Sequence, residues 1–335
     1  MTKEEKYIIS ALFDDQNINQ IETKKLDFEM IIKIGSSHLI LPAIYFNLKS
    51  KKILKKTPKD FNIFLEEIFE INKNRNLLLI EEINELSTIL YDEKIDHVFT
   101  KGAANIIHEI YNDIGERMIG DIDFLYNPID TEKIKQVLNK NKYKNVNVYN
   151  FFKNRHLPRK IKKGCLFAIE AHSKIFDKNL KKINVCELLD SKKRIAGIPT
   201  LNAEHLFLTN IYNYQINDYG YKLINYSYRS LYDSLKIKRK YNGIVLNIKK
   251  DKYLRYYFEL SKKLGINSFE EYFTNDLFWL NTRYYFKNRS KIYKGFEFFL
   301  FDCIKKIGWK PRQMKEILIN KDYRAYLKKI IQKKT

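Results

Sequence analysis

Apolar residues recur at helical spacing from the start of the chain to about residue 92. In "FNIFLEEIFEINKNRNLLLIEEINELSTIL" the positions Phe61, Phe64, Ile68, Ile71, Leu79, Ile83, Leu86 and Leu90 follow steps of three, four and seven or eight, which draws one apolar face on a helix. The period changes at "DHVFTKG", where Val98, Phe99 and Thr100 read as a short strand stopped by Gly102, with helical spacing resuming in "AANIIHEIY". Beyond it lie "GDIDFLY" as a strand, "TEKIKQVLNKN" as a helix, an alternating "NVNVYNFF" and a strand within "GCLFAIEAHSKIF". "RIAGIPTL" reads as one more strand, and Asn202 is a natural N-cap for the helix "AEHLFLTNIYNYQ". Helical spacing then runs to Thr335, interrupted near "YNGIVLN" and "KLGINSF". The pattern predicts an α+β protein: a helical region over 1–92, a core with a small mixed sheet over 93–200, and a helical domain over 201–335.

Two aspartates sit inside one of the apolar strands. Side chains at i and i+2 share a strand face, so Asp121 and Asp123 project together while Ile122 and Phe124 face the other layer. Paired carboxylates repel unless a cation lies between them, and a hard ion such as Mg²⁺ is held by one or two carboxylates plus phosphate and water. In "CLFAIEAHS" the residues Leu166, Ala168, Glu170 and His172 share a face, so Glu170 supplies a third carboxylate if the two strands are neighbours. Three such groups would make a two-ion phosphoryl-transfer site. Upstream, "TKGAA" places Gly102 and Ala103 at the mouth of a helix, where small residues let a phosphate approach, and Lys101 and Arg117 add positive charge. His172 and His156 are candidates for supporting roles on the acceptor side. Each has a plainer reading: salt bridges at a strand end for the aspartates, a lysine partner for Glu170, a counter-ion to the aspartates for Lys101 and Arg117, packing for the histidines.

Charge widens the choice of partner. The 335 residues carry 62 Lys and Arg against 40 Asp and Glu, a net charge of +22, which suits a polyanion such as RNA. The basic run Lys236–Lys240, with tyrosines on either side, suits phosphates and stacked bases; a solvated helix face is the plainer reading. Abundant Lys, Ile, Asn and 24 Tyr with only 6 Pro and 11 Gly also match the codon usage of an AT-rich genome, which weakens the charge signal. Cys165, Cys186 and Cys303 form no CxxC pair and indicate a reducing compartment. With no leader-like start and no long apolar run, a cytoplasmic protein without a membrane partner is expected.

A strand ending in "KGAA", an arginine before "GDIDFL", then "RHLP", "IEAH" and "IAGIPTLNAEHLF" together resemble the uncharacterised nucleotidyltransferase group of the DNA polymerase β superfamily. The likeness runs from Ser37 to Leu235. It implies a polymerase β-like core that transfers a nucleoside monophosphate from an NTP to an acceptor hydroxyl. It also implies two Mg²⁺ ions, or Mn²⁺ in their place, on Asp121, Asp123 and Glu170. Gly102 and Ala103 match the glycine-plus-small turn, with Ala103 where the superfamily often has serine. The implied acceptors are RNA, including tRNA, a protein or a small molecule. A non-catalytic basic RNA-binding protein on the same fold is the alternative.

Overall fold

Local signals set the ends of the first helices. In this computed structural model, which describes residues 1–14, 18, 22–146, 155–177, 180, 183–274, 278–290, 292–300 and a few isolated positions beyond, helix α1 (Lys3–Phe13) opens on a capping box. Thr2 Oγ1 accepts from Glu5 N at 3.1 Å and Glu5 returns the bond to Thr2 N at 2.7 Å. Asp27 caps α2 (Phe28–Ser37), Pro42 sits in the first turn of α3 (Leu41–Ser50), and α4 (Lys59–Asp92) starts directly after Pro58.

The buried stripe of α4 departs from the predicted one in its first half. Phe61, Leu79, Ile83, Leu86 and Leu90 are buried as expected, but Ile71 is 58% exposed, while Leu65, Phe69, Asn72 and Asn76 turn inward. The asparagines have a structural task. Asn72 Nδ2 donates to the carbonyls of Gly115 and Arg117 at 2.7 and 3.0 Å, and Asn76 Nδ2 to those of Ile114 and Arg117 at 2.7 and 2.8 Å. Buried polar groups need such partners, so α4 is rotated to serve the turn that precedes the aspartate strand.

Further elements are β1 (His97–Phe99), α5 (Lys101–Ile107), β2 (Asp121–Tyr126), α6 (Thr131–Lys140), β3 (Lys144–Asn145), β4 (Lys160–Ile161), β5 (Ala168–His172) and α7 (Val185–Asp190). After them come β6 (Lys193–Ile195), β7 (Ile198–Thr200), α8 (Ala203–Tyr212), α9 (Gly220–Leu223), α10 (Tyr228–Lys240), α11 (Lys252–Lys263) and α12 (Phe278–Arg289). The sheet order is β3-β4-β5-β2-β1-β7-β6, with β2/β5 and β1/β7 parallel and the other pairs antiparallel. Among the described residues the sheet has seven strands, mixed in direction, and with its helical flanks it agrees with the α+β expectation. "RIAGIPTL" is a hairpin rather than one strand: Ala196 and Gly197 lie at φ +48° and +83°, the left-handed pair of a tight turn, which folds β6 back on β7. Of "NVNVYNFF", residues 147–152 lie outside the described residues.

One apolar cluster runs from Tyr7 to Tyr272 and contains Phe99, Phe124, Phe207, Tyr228 and Phe258. Helix α10 joins it with polar anchors. Lys236, 4% exposed, places Nζ 2.7 Å from Glu116, which also accepts a hydrogen bond from Tyr232. The basic run is therefore not a free stripe: Lys238 pairs with Glu271 at 2.5 Å, and Lys240 donates to the Glu109 carbonyl at 3.0 Å. Among the described residues no helix is long and apolar enough to cross a membrane.

Candidate active site

The parallel pairing of β2 with β5 sets Asp123 opposite Glu170, with Asp121 opposite Ala168 and Leu125 opposite His172. Asp123, Glu170 and His172 therefore meet on one face, while Ile122 and Phe124 are buried in the other layer. The backbone N–H of Thr100 donates to the Asp123 carbonyl at 3.0 Å, which ties the end of β1 to β2. Lys101 follows at φ +54°, a left-handed conformation, and its Nζ lies 2.5 Å from Asp123 Oδ1 and 3.9 Å from Glu170 Oε2. His172 Nε2 lies 2.7 Å from the same Asp123 oxygen and 3.4 Å from Glu170 Oε2. The His156 ring stands 5.1 Å from that of His172, with Nδ1 2.7 Å from the Leu157 carbonyl. Arg159 closes the outer side, Nη2 3.0 Å from Asp121 Oδ2 and Nε 3.2 Å from Glu170 Oε1.

Crowding of like charge shows in the acid strengths. Burial, then the neighbouring Asp123 and Glu170, push the Asp121 carboxyl up to about 6, against the pull of Lys101 and Arg159. Burial also opposes ionisation of Asp123, but the Lys101 ammonium and the His172 hydrogen bond outweigh it and hold this carboxyl well below the usual range. Glu170 is likewise held below its ordinary value, burial being overcome by its His172 bond and Lys101 despite repulsion from Asp123. Three carboxylates are thus ionised at neutral pH, with Lys101 and Arg159 supplying positive charge where a bound cation would.

The donor set fits a divalent ion. Ligand atoms of Asp123, Glu170 and His172 all lie within 4.8 Å of one another, and Asp121 adds a further hard oxygen on the same strand. The compact cluster takes in His172, expected only in a supporting role, while Asp121 stands toward Arg159.

Other candidate residues are distributed differently. Gly102 borders a cavity of about 370 Å³ that also touches Lys101, Arg117, Asp121, Asp123 and Arg229. A Cβ at Gly102 would meet Ile119 Cγ1 at 3.1 Å, a tight contact that a larger residue could make only if the Ile119 side chain shifted. Ala103 is fully buried in the core and does not line the cavity. Arg117 is not a counter-ion to the aspartate pair: its Nε lies 3.0 Å from both carboxylate oxygens of Asp233 on α10, and it also donates to the Met118 carbonyl. Asp233 further accepts from Tyr111 at 2.7 Å.

A family model described as uncharacterised nucleotidyltransferase matches residues 24–225. The chain belongs to that family. No curated protein matches it. In this nucleotidyltransferase the matched stretch contains the whole sheet and ends before α10 begins. Asp233 and Arg229 therefore reach the cavity from outside the family match. Sequence reasoning missed both, and it missed Arg159. Arg159 stands in "RHLPRK", beside a residue already singled out, but its closeness to the acids depends on the Lys160–Ile169 pairing of the two-residue strand β4, which no periodicity reveals.

Proposed function

We propose that this nucleotidyltransferase moves a nucleoside monophosphate from an NTP to an acceptor hydroxyl, releasing pyrophosphate. The placement of Asp123 beside Glu170, with Asp121 on the same strand at the edge of the cavity, is the observation that carries this reading. Asp121, Asp123 and Glu170 would hold Mg²⁺, with Mn²⁺ able to replace it. Such an ion would supply positive charge against the phosphates and make a bound hydroxyl more acidic.

The chain's own groups have separate tasks. Glu170 would take the proton of the acceptor hydroxyl as its oxygen bonds to the α-phosphorus and the bond from that phosphorus to the bridging oxygen breaks, pyrophosphate leaving with the electron pair. His172 would orient Asp123 through the 2.7 Å contact, and it also lies 3.4 Å from Glu170 Oε2. Lys101, at the cavity edge, would neutralise charge developing on the leaving group. Arg159 balances Asp121 and Glu170 in the resting protein. Gly102 and Arg117, the latter fixed by Asp233, both contribute to the cavity wall. The acids of the reaction would belong to a core over 93–200, flanked in sequence by the regions 1–92 and 201–335.

The net charge of +22 favours an RNA acceptor, such as tRNA, over a protein or small molecule. Ligand binding to the folded state alone raises the melting temperature, so Mg²⁺ with an NTP should stabilise the wild-type protein and should do so far less in the Asp121→Ala, Asp123→Ala double variant. Equal shifts in the two proteins would remove the acids from the proposed site.

A further inference from the structure

Among the described residues four cationic side chains line the cavity: Lys101, Arg117, Arg155 and Arg229. Three of them already have a partner in the metal-free protein. Lys101 is paired with Asp123 and Arg117 with Asp233, while Arg155 holds Asp177 at 2.8 Å and the Ile175 carbonyl at 3.1 Å. Arg229, in the first turn of α10, donates no hydrogen bond and makes no ion pair among the described residues. A guanidinium carries five N–H donors in a planar fork and is seldom left without acceptors in a half-buried setting.

Its surroundings add to the deficit. Arg229 is partly withdrawn from water, and its pKa is lowered first by the neighbouring Arg117 guanidinium and then by burial, with Asp233 and Asp218 compensating only in part. Asp233 is already engaged by Arg117 and Tyr111. Arg117 and Arg229 thus line the same cavity as Asp121 and Asp123, with Asp218 and Asp233 also in its wall. A cavity lined both by the acids of the proposed metal site and by a guanidinium that donates no hydrogen bond suits a ligand that needs metal at its reacting phosphate and carries further negative charge.

We infer that Arg229 is a phosphate ligand, taking the terminal phosphates of the NTP in the cavity between α10 and the aspartate strand. The inference rests on the nucleotidyl-transfer reading for the identity of the ligand and adds a residue from beyond the family match. Arg117 has a different part in it: with its Nε bound by both Asp233 oxygens, it is a positioning residue that fixes α10, and Arg229 with it, against the sheet. A charge-assisted contact to phosphate is among the stronger hydrogen bonds a side chain makes.

The test is equilibrium binding of inorganic tripolyphosphate, an NTP and the matching NMP, each with Mg²⁺, to wild type, Arg229→Gln and Arg229→Lys. Wild type should bind tripolyphosphate. Arg229→Gln should weaken tripolyphosphate and NTP about tenfold to a hundredfold while leaving NMP unchanged, and Arg229→Lys should recover part of the loss. Without ligand, Arg229→Gln should melt no lower than wild type, because repulsion from Arg117 is relieved; a lower melting point would show that the side chain has a structural partner and would overturn the inference. No binding of tripolyphosphate to wild type, or equal binding to Arg229→Gln, would also overturn it. If Arg229 instead meets a phosphate of the acceptor, NTP and tripolyphosphate affinities will be unchanged and only the KM for RNA will rise, which refutes the assignment to the terminal phosphates. Label transfer is followed in parallel. A wild type that transfers NMP while Arg229→Gln binds normally refutes this subsite alone; a wild type that binds tripolyphosphate through Arg229 but transfers nothing refutes the transfer reading and leaves the subsite standing.

Discussion

Replacing Asp121 by Asn should stabilise the metal-free protein at neutral pH, and the gain should vanish in acid. In the folded chain this carboxyl ionises at about 6 against an ordinary value of 3.8, because burial and the charges on Asp123 and Glu170 oppose it. The native state therefore holds a proton that the unfolded chain has released, and stability falls as pH rises from about 4 through about 6. The gap between 3.8 and about 6, at ~1.36 kcal/mol per pH unit, gives a penalty of roughly 3 kcal/mol once Asp121 is fully charged. An unfolding entropy of ~2.1 cal/mol/K per residue over 335 residues turns that into a rise of about 4 °C in Tm for Asp121→Asn. Thermal melts in EDTA at pH 4 to 8 should show the variant and wild type converging toward pH 4 and separating above pH 6, with the variant higher. A variant that melts lower at pH 8 would refute the reasoning and make the Arg159–Asp121 contact, 3.0 Å long, a stabilising ion pair instead of a partial remedy for repulsion.

Two further changes probe the site and its support. Glu170→Gln keeps the shape of the side chain but removes its charge, so NTP binding should persist while turnover falls about a hundredfold or more; near-normal turnover would exclude Glu170 as the group that takes the hydroxyl proton. Lys236→Ala leaves Glu116 buried and without its ionic partner, so urea unfolding should show a loss of about 3–5 kcal/mol, whereas a loss below ~1 kcal/mol with weakened RNA binding would return Lys236 to a surface role.

What the sequence made legible follows from the range of each signal. The β2 acid pair was readable because a two-residue period places Asp121 and Asp123 together whatever the tertiary context. That Glu170 stands beside Asp123 was a conditional expectation, and only the β2–β5 register supplies it. The α4 stripe was misread around Ile71 because hydrophobicity alone cannot foresee that Asn72 and Asn76 will be buried to bind carbonyls of the Ile114–Arg117 turn. Arg117 was legible as a charged residue near the acids, yet its partner lies on α10, far away in sequence, where charge pairing has no periodic trace. The same distance hid Arg229, and the basic run ending at Lys240 looked like a surface because burial of Lys236 depends on Glu116 meeting it from another element. The hairpin at Ala196–Gly197 was lost for a local reason, since alanine at φ +48° is an uncommon turn residue and gave no turn signal.

The central claim is that this chain moves a nucleoside monophosphate and not a phosphoryl group. The purified protein, incubated with Mg²⁺, a total cell extract and each NTP labelled in turn at the α- or the γ-phosphate, tests it directly when the extract is separated into RNA, protein and small solutes. The account predicts stable α-label in one fraction, the RNA fraction first, with γ-label leaving as pyrophosphate and with no transfer by Asp123→Ala. Transfer of γ-label to an acceptor, or α-label transfer undiminished in Asp123→Ala, would contradict it.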